Sequence, residues 1–365
     1  MKPTVVIITS IPSPYQVEYF NSISTSTDIH FVAIYVSRLV PERLWKLPNL
    51  VHEHYFLEDG NASIASASQL ILAVDLVVFS CYTSKHARVL MRLREKSRRP
   101  WVYWGERPGS RGFGLLGRLW RRIKLAPLFR GPVPVWGIGS WAVDEWQREL
   151  CDMRQYSVLS YYSDLSRFAP SMDKVPDPLE RRFIFSGSLI HRKGADLLAL
   201  AFAEVAATRP NLKLHIIGTG IIEPKMRKVL SHLSEQVQFF GFLQWEDIVP
   251  HYQWADVLIA PSRYDGWGLI IPEGLASGLL IIATDHMGAA KDLIVHKQNG
   301  LIVPAGDLVS LKRAIIDAAE LPYKDLLSAQ LEARTSVGNL QLTDGVSKFI
   351  ALTLSATEPD KLSKN

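Results

Sequence analysis

Cysteine is scarce in this chain of 365 residues: Cys81 and Cys151 are the only two, far apart and outside any Cys-x-x-Cys or Cys/His spacing. They suggest neither a disulfide framework nor a structural zinc site, and a reducing cytoplasm is the expected setting. Long apolar runs are missing too. Hydrophobic residues make up 47% of the chain, yet no stretch reaches the roughly 18 uninterrupted apolar residues of a membrane-spanning helix. The N-terminus passes from one lysine into the strand-like residues 5–9 without a small-residue cleavage site, and no signal peptide is read there. No Asp-x-Asp occurs; a metal-bridged diphosphate has no evident ligands, and neither an obligatory metal nor a cofactor is expected. The first strand runs into Ile11-Pro12-Ser13-Pro14 rather than Gly-x-Gly-x-x-Gly. Proline removes amides that a pyrophosphate needs, which argues against a dinucleotide oxidoreductase.

What is present reads as alternation. Short apolar runs at 5–9, 31–36, 76–79, 101–104 and 133–138 are separated by helical patterning, the signature of a parallel sheet. A stretch with three prolines and scattered charges, 163–178, interrupts it and marks an interdomain linker. The pattern then resumes with a strand at 183–186, a helix from Ala195, a strand at 212–217, a helix from Pro224 and strands near Val237, Val257 and Leu280. The expected fold class is α/β, with two Rossmann-like domains facing each other across a cleft. The boundaries read are 1–165 for the N-terminal domain, 166–178 for the linker, 179–345 for the C-terminal domain and 346–365 for a helix end and tail. In open sheets of this kind ligands bind outside the carboxyl ends of the strands, where the strand order reverses.

Three loops carry candidate chemistry. Phe185-Ser186-Gly187-Ser188-Leu189-Ile190-His191-Arg192-Lys193-Gly194 leaves a strand, turns on glycine and enters a helix beside two adjacent cations. The amides and partial positive charge of a helix start, with the full charges of Arg192 and Lys193, suit a diphosphate; a basic, solvated helix start is the alternative. Ile217-Gly218-Thr219-Gly220 ends the next strand in a turn where a ligand can approach the backbone. Pro261-Ser262-Arg263-Tyr264-Asp265-Gly266-Trp267-Gly268 is followed by Leu269 and then Pro272-Glu273-Gly274. Asp265 and Glu273 can both face the crevice, Glu273 accepting from both hydroxyls of a ribose. The amides of Gly266, Trp267, Gly268 and Leu269 would turn towards a sugar. An isolated pair of acids is more often structural.

In order and spacing these motifs resemble glycosyltransferase family 4, retaining enzymes of the GT-B fold, over essentially the whole second domain. The resemblance implies that Gly187, Arg192 and Lys193 hold donor phosphates, with Ser188 standing where the family's turn carries an arginine. Its two glutamates, separated by seven residues, correspond to Asp265, shortened to aspartate here, and Glu273. Thr284-Asp285, Gly288-Ala289, Asn299-Gly300-Leu301-Ile302-Val303 and Gly306-Asp307 are similar to the family's closing strands and loops. The N-terminal half resembles the family less. Pro14 and Tyr15 follow the first strand where many members have a glycine pair, which places them on the acceptor side. Trp104-Gly105-Glu106-Arg107-Pro108 stands where many members have a histidine, so Glu106 is the candidate for a polar role towards the donor sugar. Arg107 falls beside it on the acceptor side, and a rim salt bridge is the alternative reading of Glu106. Residues 140–150 resemble the family's helix before the linker, with Trp141 and Trp146 read as core.

Charge is concentrated in one block. Residues 85–130 hold fourteen Lys or Arg against two acids, a local charge of +12 in a chain of +5 overall. Within it, 107–130 reads as an interfacial amphipathic helix. Leu115, Leu116, Leu119, Trp120 and Ile123 would enter the headgroup boundary, and Arg118, Arg121, Arg122 and Lys124 would meet anionic lipid. A helix packed on its own domain is the alternative; no nucleic-acid motif accompanies the cations. The expected function is transfer of a sugar from a nucleoside-diphosphate donor to a glycan or lipid-linked glycan, in cell-surface polysaccharide or lipopolysaccharide synthesis. The enzyme would be metal-independent, cytoplasmic and peripheral at the inner face of the cell membrane. Its C-terminal domain would bind the nucleotide sugar and its N-terminal domain the acceptor. The alternatives are an inactive scaffold descended from such an enzyme and a sugar-nucleotide epimerase or phosphorylase of the same architecture.

Overall fold

The computed structural model describes residues 2–39, 44–109, 114–151, 153–169, 177 and 179–358, so most of 166–178 lies outside the described residues. The chain divides into two compact units, Met1–Asp164 with Leu342–Asn365, and Leu165–Gln341.

The first unit runs β1 (Thr4–Thr9), α1 (Pro14–Ser24), β2 (His30–Tyr35), β3 (Glu53–Phe56), α2 (Asn61–Ala73), β4 (Leu76–Phe79), α3 (Lys85–Lys96), β5 (Trp101–Gly105), α4 (Gly114–Lys124), α5 (Ala126–Arg130), β6 (Val135–Gly137), α6 (Ser140–Leu150) and β7 (Tyr156–Val158). Its strands form one sheet in the order β3-β2-β1-β4-β5-β6-β7, every neighbouring pair parallel. The central strands are near-continuous apolar runs because helices cover both faces. On one face Val6, Ile8, Val32, Ile34, Val77 and Phe79 pack with helical residues such as Ile71, Leu90 and Met91. Fully buried Arg94 on α3 donates to the carbonyls of Ile71, Val74, Asp75 and Pro100, tying α2 to the start of β5. Trp146 is fully buried and Trp141 nearly so, as expected of core residues.

The second unit runs β8 (Arg181–Ser186), α7 (Ala195–Ala206), β9 (Leu212–Ile217), α8 (Glu223–Val229), β10 (Val237–Gly241), α9 (Trp245–Trp254), β11 (Val257–Ala260), α10 (Ile270–Ala276), β12 (Leu280–Thr284), α11 (Gly288–Leu293), β13 (Gly300–Val303), α12 (Leu308–Glu320) and α13 (Tyr323–Ser336). The sheet order is β10-β9-β8-β11-β12-β13, again all parallel. The order reverses between β8 and β11, the switch point where a crevice opens at the strand carboxyl ends. Asp256, fully buried, accepts from the amide and guanidinium of Arg182 at 2.9 and 3.2 Å, and its own amide donates to the Arg182 carbonyl at 2.8 Å. That exchange fixes the start of β11 beside β8. A last helix, α14 (Leu342–Thr357), belongs to the first unit, where Tyr19 donates to the Gly345 carbonyl at 2.8 Å and Phe349 meets Tyr19, Phe31 and Trp136 edge-on.

Helix α4 is half claimed by its own unit. Arg121 grips the Glu149 carboxylate at 3.1 and 3.2 Å and donates to the Gly109 carbonyl, and Arg118 donates to the Glu149 carbonyl at 3.0 Å. Leu116, Leu119, Trp120, Ile123 and Arg122 are exposed. Lys124 lies over the Trp120 ring and Arg122 over Phe129; the side chain of Leu115 lies outside the described residues.

Two histidines, His52 buried and His215 half-buried, make stability pH-dependent. His52 holds Tyr35 and Asn21 through its two ring nitrogens, at 2.9 and 2.6 Å. Burial, with His54 nearby, lowers its pKa to about 4. His215, stacked flat on Trp254, is likewise lowered to about 4 by burial and by His251. The unfolded chain, with an ordinary His pKa near 6.5, takes up these protons first. Stability contributed above that pH is therefore lost as pH falls from 6.5 towards 4. Urea unfolding should show this decline, and His52→Gln should flatten it; a midpoint constant between pH 7 and 4.5 contradicts the assignment.

Candidate functional site

At the switch point of the second unit the loops after β8 and β11 lie side by side because backbone packs on backbone. Gly194 adopts φ +71° and a Cβ there would collide with the Pro261 carbonyl oxygen. Gly218, at φ +125°, would collide with the Gly187 carbonyl. Glycine is required at both for conformation and for space.

Close approach brings the charges together. Lys193 meets the Asp265 carboxylate at 2.5 Å with both side chains largely buried, and Arg192, exposed, donates to the Tyr264 carbonyl at 3.0 Å. Arg263 donates twice to the Asp196 carboxylate at 2.7 and 2.8 Å and also to the His191 carbonyl. Burial disfavours the charged form of Asp196, but the hydrogen bonds and charge of Arg263 outweigh it and hold the carboxyl below its ordinary value. Asp265 is clamped through its backbone as well, its amide donating to the His286 carbonyl and its carbonyl accepting from Gly288.

Glu273 sits in α10, where Tyr252 donates to its carboxylate at 3.4 Å. Burial, then the charge of Glu273, raises the Tyr252 pKa well above its ordinary value, so the phenol keeps its proton. Between the two acids the amides of Gly266, Trp267, Gly268 and Leu269 find no protein acceptor among the described residues, nor does that of Ser188. The Trp267 side chain itself is buried and its indole N–H has no partner among the described residues. The structure thus brings Gly187, Ser188, Arg192, Lys193, Gly218, Asp265, Gly266, Trp267, Gly268, Leu269 and Glu273 to one end of one sheet.

In the first unit, Pro14 opens α1 after β1, and the Tyr15 ring lies 5.0 Å from that of Tyr161, with their hydroxyls hydrogen-bonded. Burial, then Tyr15 and Glu106, raises the Tyr161 pKa well above normal. Glu106, at the end of β5, is half-buried and its carbonyl accepts from Trp146. Arg107 is buried with its guanidinium 3.6 Å above the Trp141 ring. Sequence reading missed Tyr161, Tyr252 and the Asp196–Arg263 pair. Arg263 lay in a quoted motif; the others are ordinary residues of helices and loops. Among the described residues no group of three His, Cys, Asp or Glu is placed to hold a metal ion.

Two parallel, doubly wound sheets with charged loops at a switch point define the GT-B class of fold. Residues 180–320 match the family model described as glycosyl transferases group 1. It is 28% identical over 177 residues to a GDP-mannose-dependent monoacylated phosphatidylinositol monomannoside mannosyltransferase of Corynebacterium glutamicum, covering 44% of this chain and 46% of that protein. It is 29% identical over 201 residues to the lipopolysaccharide core mannosyltransferase LpsB of Rhizobium meliloti, covering 49% and 55%. The chain thus spans about half the length of the curated relatives it matches. In fold it is similar to Anabaena Alr3699/HepE in complex with UDP, with a TM-score of 0.77 at 17% identity, covering 98% of this chain and 100% of that one. The apo lipopolysaccharide outer core galactosyltransferase WaaB is similar at a TM-score of 0.70 and 15% identity, covering 97% and 99%.

A methyl group at position 194 tests the loop contact. Gly194→Ala should lower the unfolding free energy by at least about 1–2 kcal/mol, the cost of a left-handed alanine before any clash. An unchanged urea midpoint contradicts the packing described.

Proposed function

We propose that the chain transfers a sugar from a nucleoside-diphosphate sugar to a hydroxyl of a glycan or lipid-linked glycan, with retention at the anomeric carbon, in cell-surface polysaccharide or lipopolysaccharide synthesis. The observation that carries this reading is the row of unpaired amides at 266–269 between Asp265 and Glu273, opposite the cations of the β8 loop. Glu273, steadied by Tyr252, takes the ribose hydroxyls. Arg192, Lys193 and the amide of Ser188, at the turn of Gly187 and Gly218, take the diphosphate, and the amides of Gly266, Trp267, Gly268 and Leu269 take the sugar hydroxyls. As the bond from the anomeric carbon to the phosphate oxygen breaks, negative charge grows on the diphosphate, where fixed cations and amides stabilise it most. Lys193 then exchanges its partner Asp265 for phosphate, and the freed carboxylate turns to the sugar. The acceptor oxygen bonds to the anomeric carbon, and its proton passes to the departing phosphate. Glu106 serves the donor sugar, while Pro14, Tyr15 and Arg107 line the acceptor side.

The same reading makes the protein peripheral at the inner face of the cell membrane. No helix among the described residues is long and apolar enough to cross a bilayer, so attachment falls to the exposed Leu116, Leu119, Trp120 and Ile123 of α4. With Arg118 and Arg121 turned to Glu149, insertion of that apolar face outweighs attraction to anionic lipid, to which Arg122 and Lys124 contribute. Flotation with anionic and neutral vesicles should recover the wild type, more from the anionic, and lose Leu119→Glu/Ile123→Glu; equal recovery of both proteins contradicts the attachment.

Release of nucleoside diphosphate from a panel of UDP-, GDP-, ADP- and TDP-sugars, with and without glycan and lipid extracts, tests the activity. Acceptor-dependent release from one donor is expected, and Lys193→Ala should slow it by about 10²–10³-fold, the usual cost of one charge-stabilising group. Binding without release from any donor supports the inactive scaffold instead.

A further inference from the structure

The two loops of the donor site are joined by a second ion pair, distinct from the one that exchanges. Arg263, two residues before Asp265, sends its fork to both oxygens of Asp196 at 2.7 and 2.8 Å and to the His191 carbonyl at 2.6 Å. Its backbone is held too: its amide donates to the Arg192 carbonyl at 2.8 Å, and the His286 ring meets its carbonyl at 3.1 Å. Asp196 stands in the first turn of α7, three residues after Lys193. One loop thereby carries Lys193 and Asp196, the other Asp265 and Arg263, in two parallel ion pairs.

The pairs differ in what a donor does to them. Lys193 and Asp265 must part for phosphate and sugar to take their places, which removes one of the tethers that set the loops' spacing. A bidentate arginine–carboxylate pair is directional where a lysine contact is a point charge, so it can keep that spacing while the other exchanges. We propose that Asp196 and Arg263 are positioning residues: a strut that touches no substrate and holds Lys193 and Asp265 at working separation once a nucleotide sugar has parted them. This rests on the function proposed above.

Displacement of about 1 Å at a reacting centre costs on the order of 10²-fold in rate, and a weakened strut should be felt in kcat more than in binding. Asp196→Asn and Arg263→Lys should lower kcat for transfer at least tenfold while the Kd for the nucleoside diphosphate moves less than threefold and Tm stays close to wild type. Asp196→Glu, which keeps the carboxylate, should recover most of the rate. Unchanged kcat, or a fall in kcat matched by loss of binding or of Tm, overturns the strut. If the wild type releases nothing from any donor, the proposed function fails by itself, and hydrogen exchange decides the strut. Faster exchange of amides in both 187–194 and 261–269 in Asp196→Asn, with β9 unchanged, upholds it; unchanged exchange in either loop overturns it.

Discussion

The buried exchange between Arg182 and Asp256 fixes where β11 begins beside β8, and the rest of the second unit follows from that placement. With the two strands in parallel register, their carboxyl ends open side by side, and the loops that leave them must share one narrow space. Gly194 lets the β8 loop lie against the β11 loop there, and Gly218 does the same for the loop after β9 on the other side. The charges at the tips are then forced into pairs: Lys193 with Asp265, Arg263 with Asp196. Packing thus comes first and electrostatics second, and the amides of 266–269, entering α10, find no protein acceptor among the described residues.

In a parallel sheet the loops that follow the strands all leave from one end, so a unit of this kind concentrates its chemistry there. The first unit does the same with different residues, aromatic and carboxylic rather than cationic: Tyr15, Tyr161 and Glu106 cluster at the ends of β1 and β5. Its cations lie mostly elsewhere, on α3 to α5, and several are consumed internally, Arg94 by four carbonyls and Arg121 by Glu149. A charge block counted along the chain overstates the charge a partner can meet.

The central strands were legible in the sequence because each is a run of apolar residues buried on both faces. The edge strands of the first unit were not: Glu53–Phe56 begins with two polar residues and Tyr156–Val158 is three residues long, so neither forms a run or an alternation. The loops of the candidate site were legible as motifs, with Asp265, Glu273 and Lys193 all quoted. The partners that hold them were not. Tyr252 is one aromatic among several in its helix, and Asp196 meets Arg263 across a separation that only the sheet order closes. The order of strands in space is a property of how crossovers pack, and no local pattern encodes it.

The central claim is that the end of the second sheet receives a nucleoside diphosphate. Calorimetric titration of UDP and GDP into wild type, Lys193→Ala and Glu273→Gln tests it most directly. One nucleotide should bind the wild type with a single site per chain, and each substitution should weaken it by tenfold or more without unfolding the protein. Absence of binding to the folded wild type, or equal affinity in all three proteins, would contradict the account.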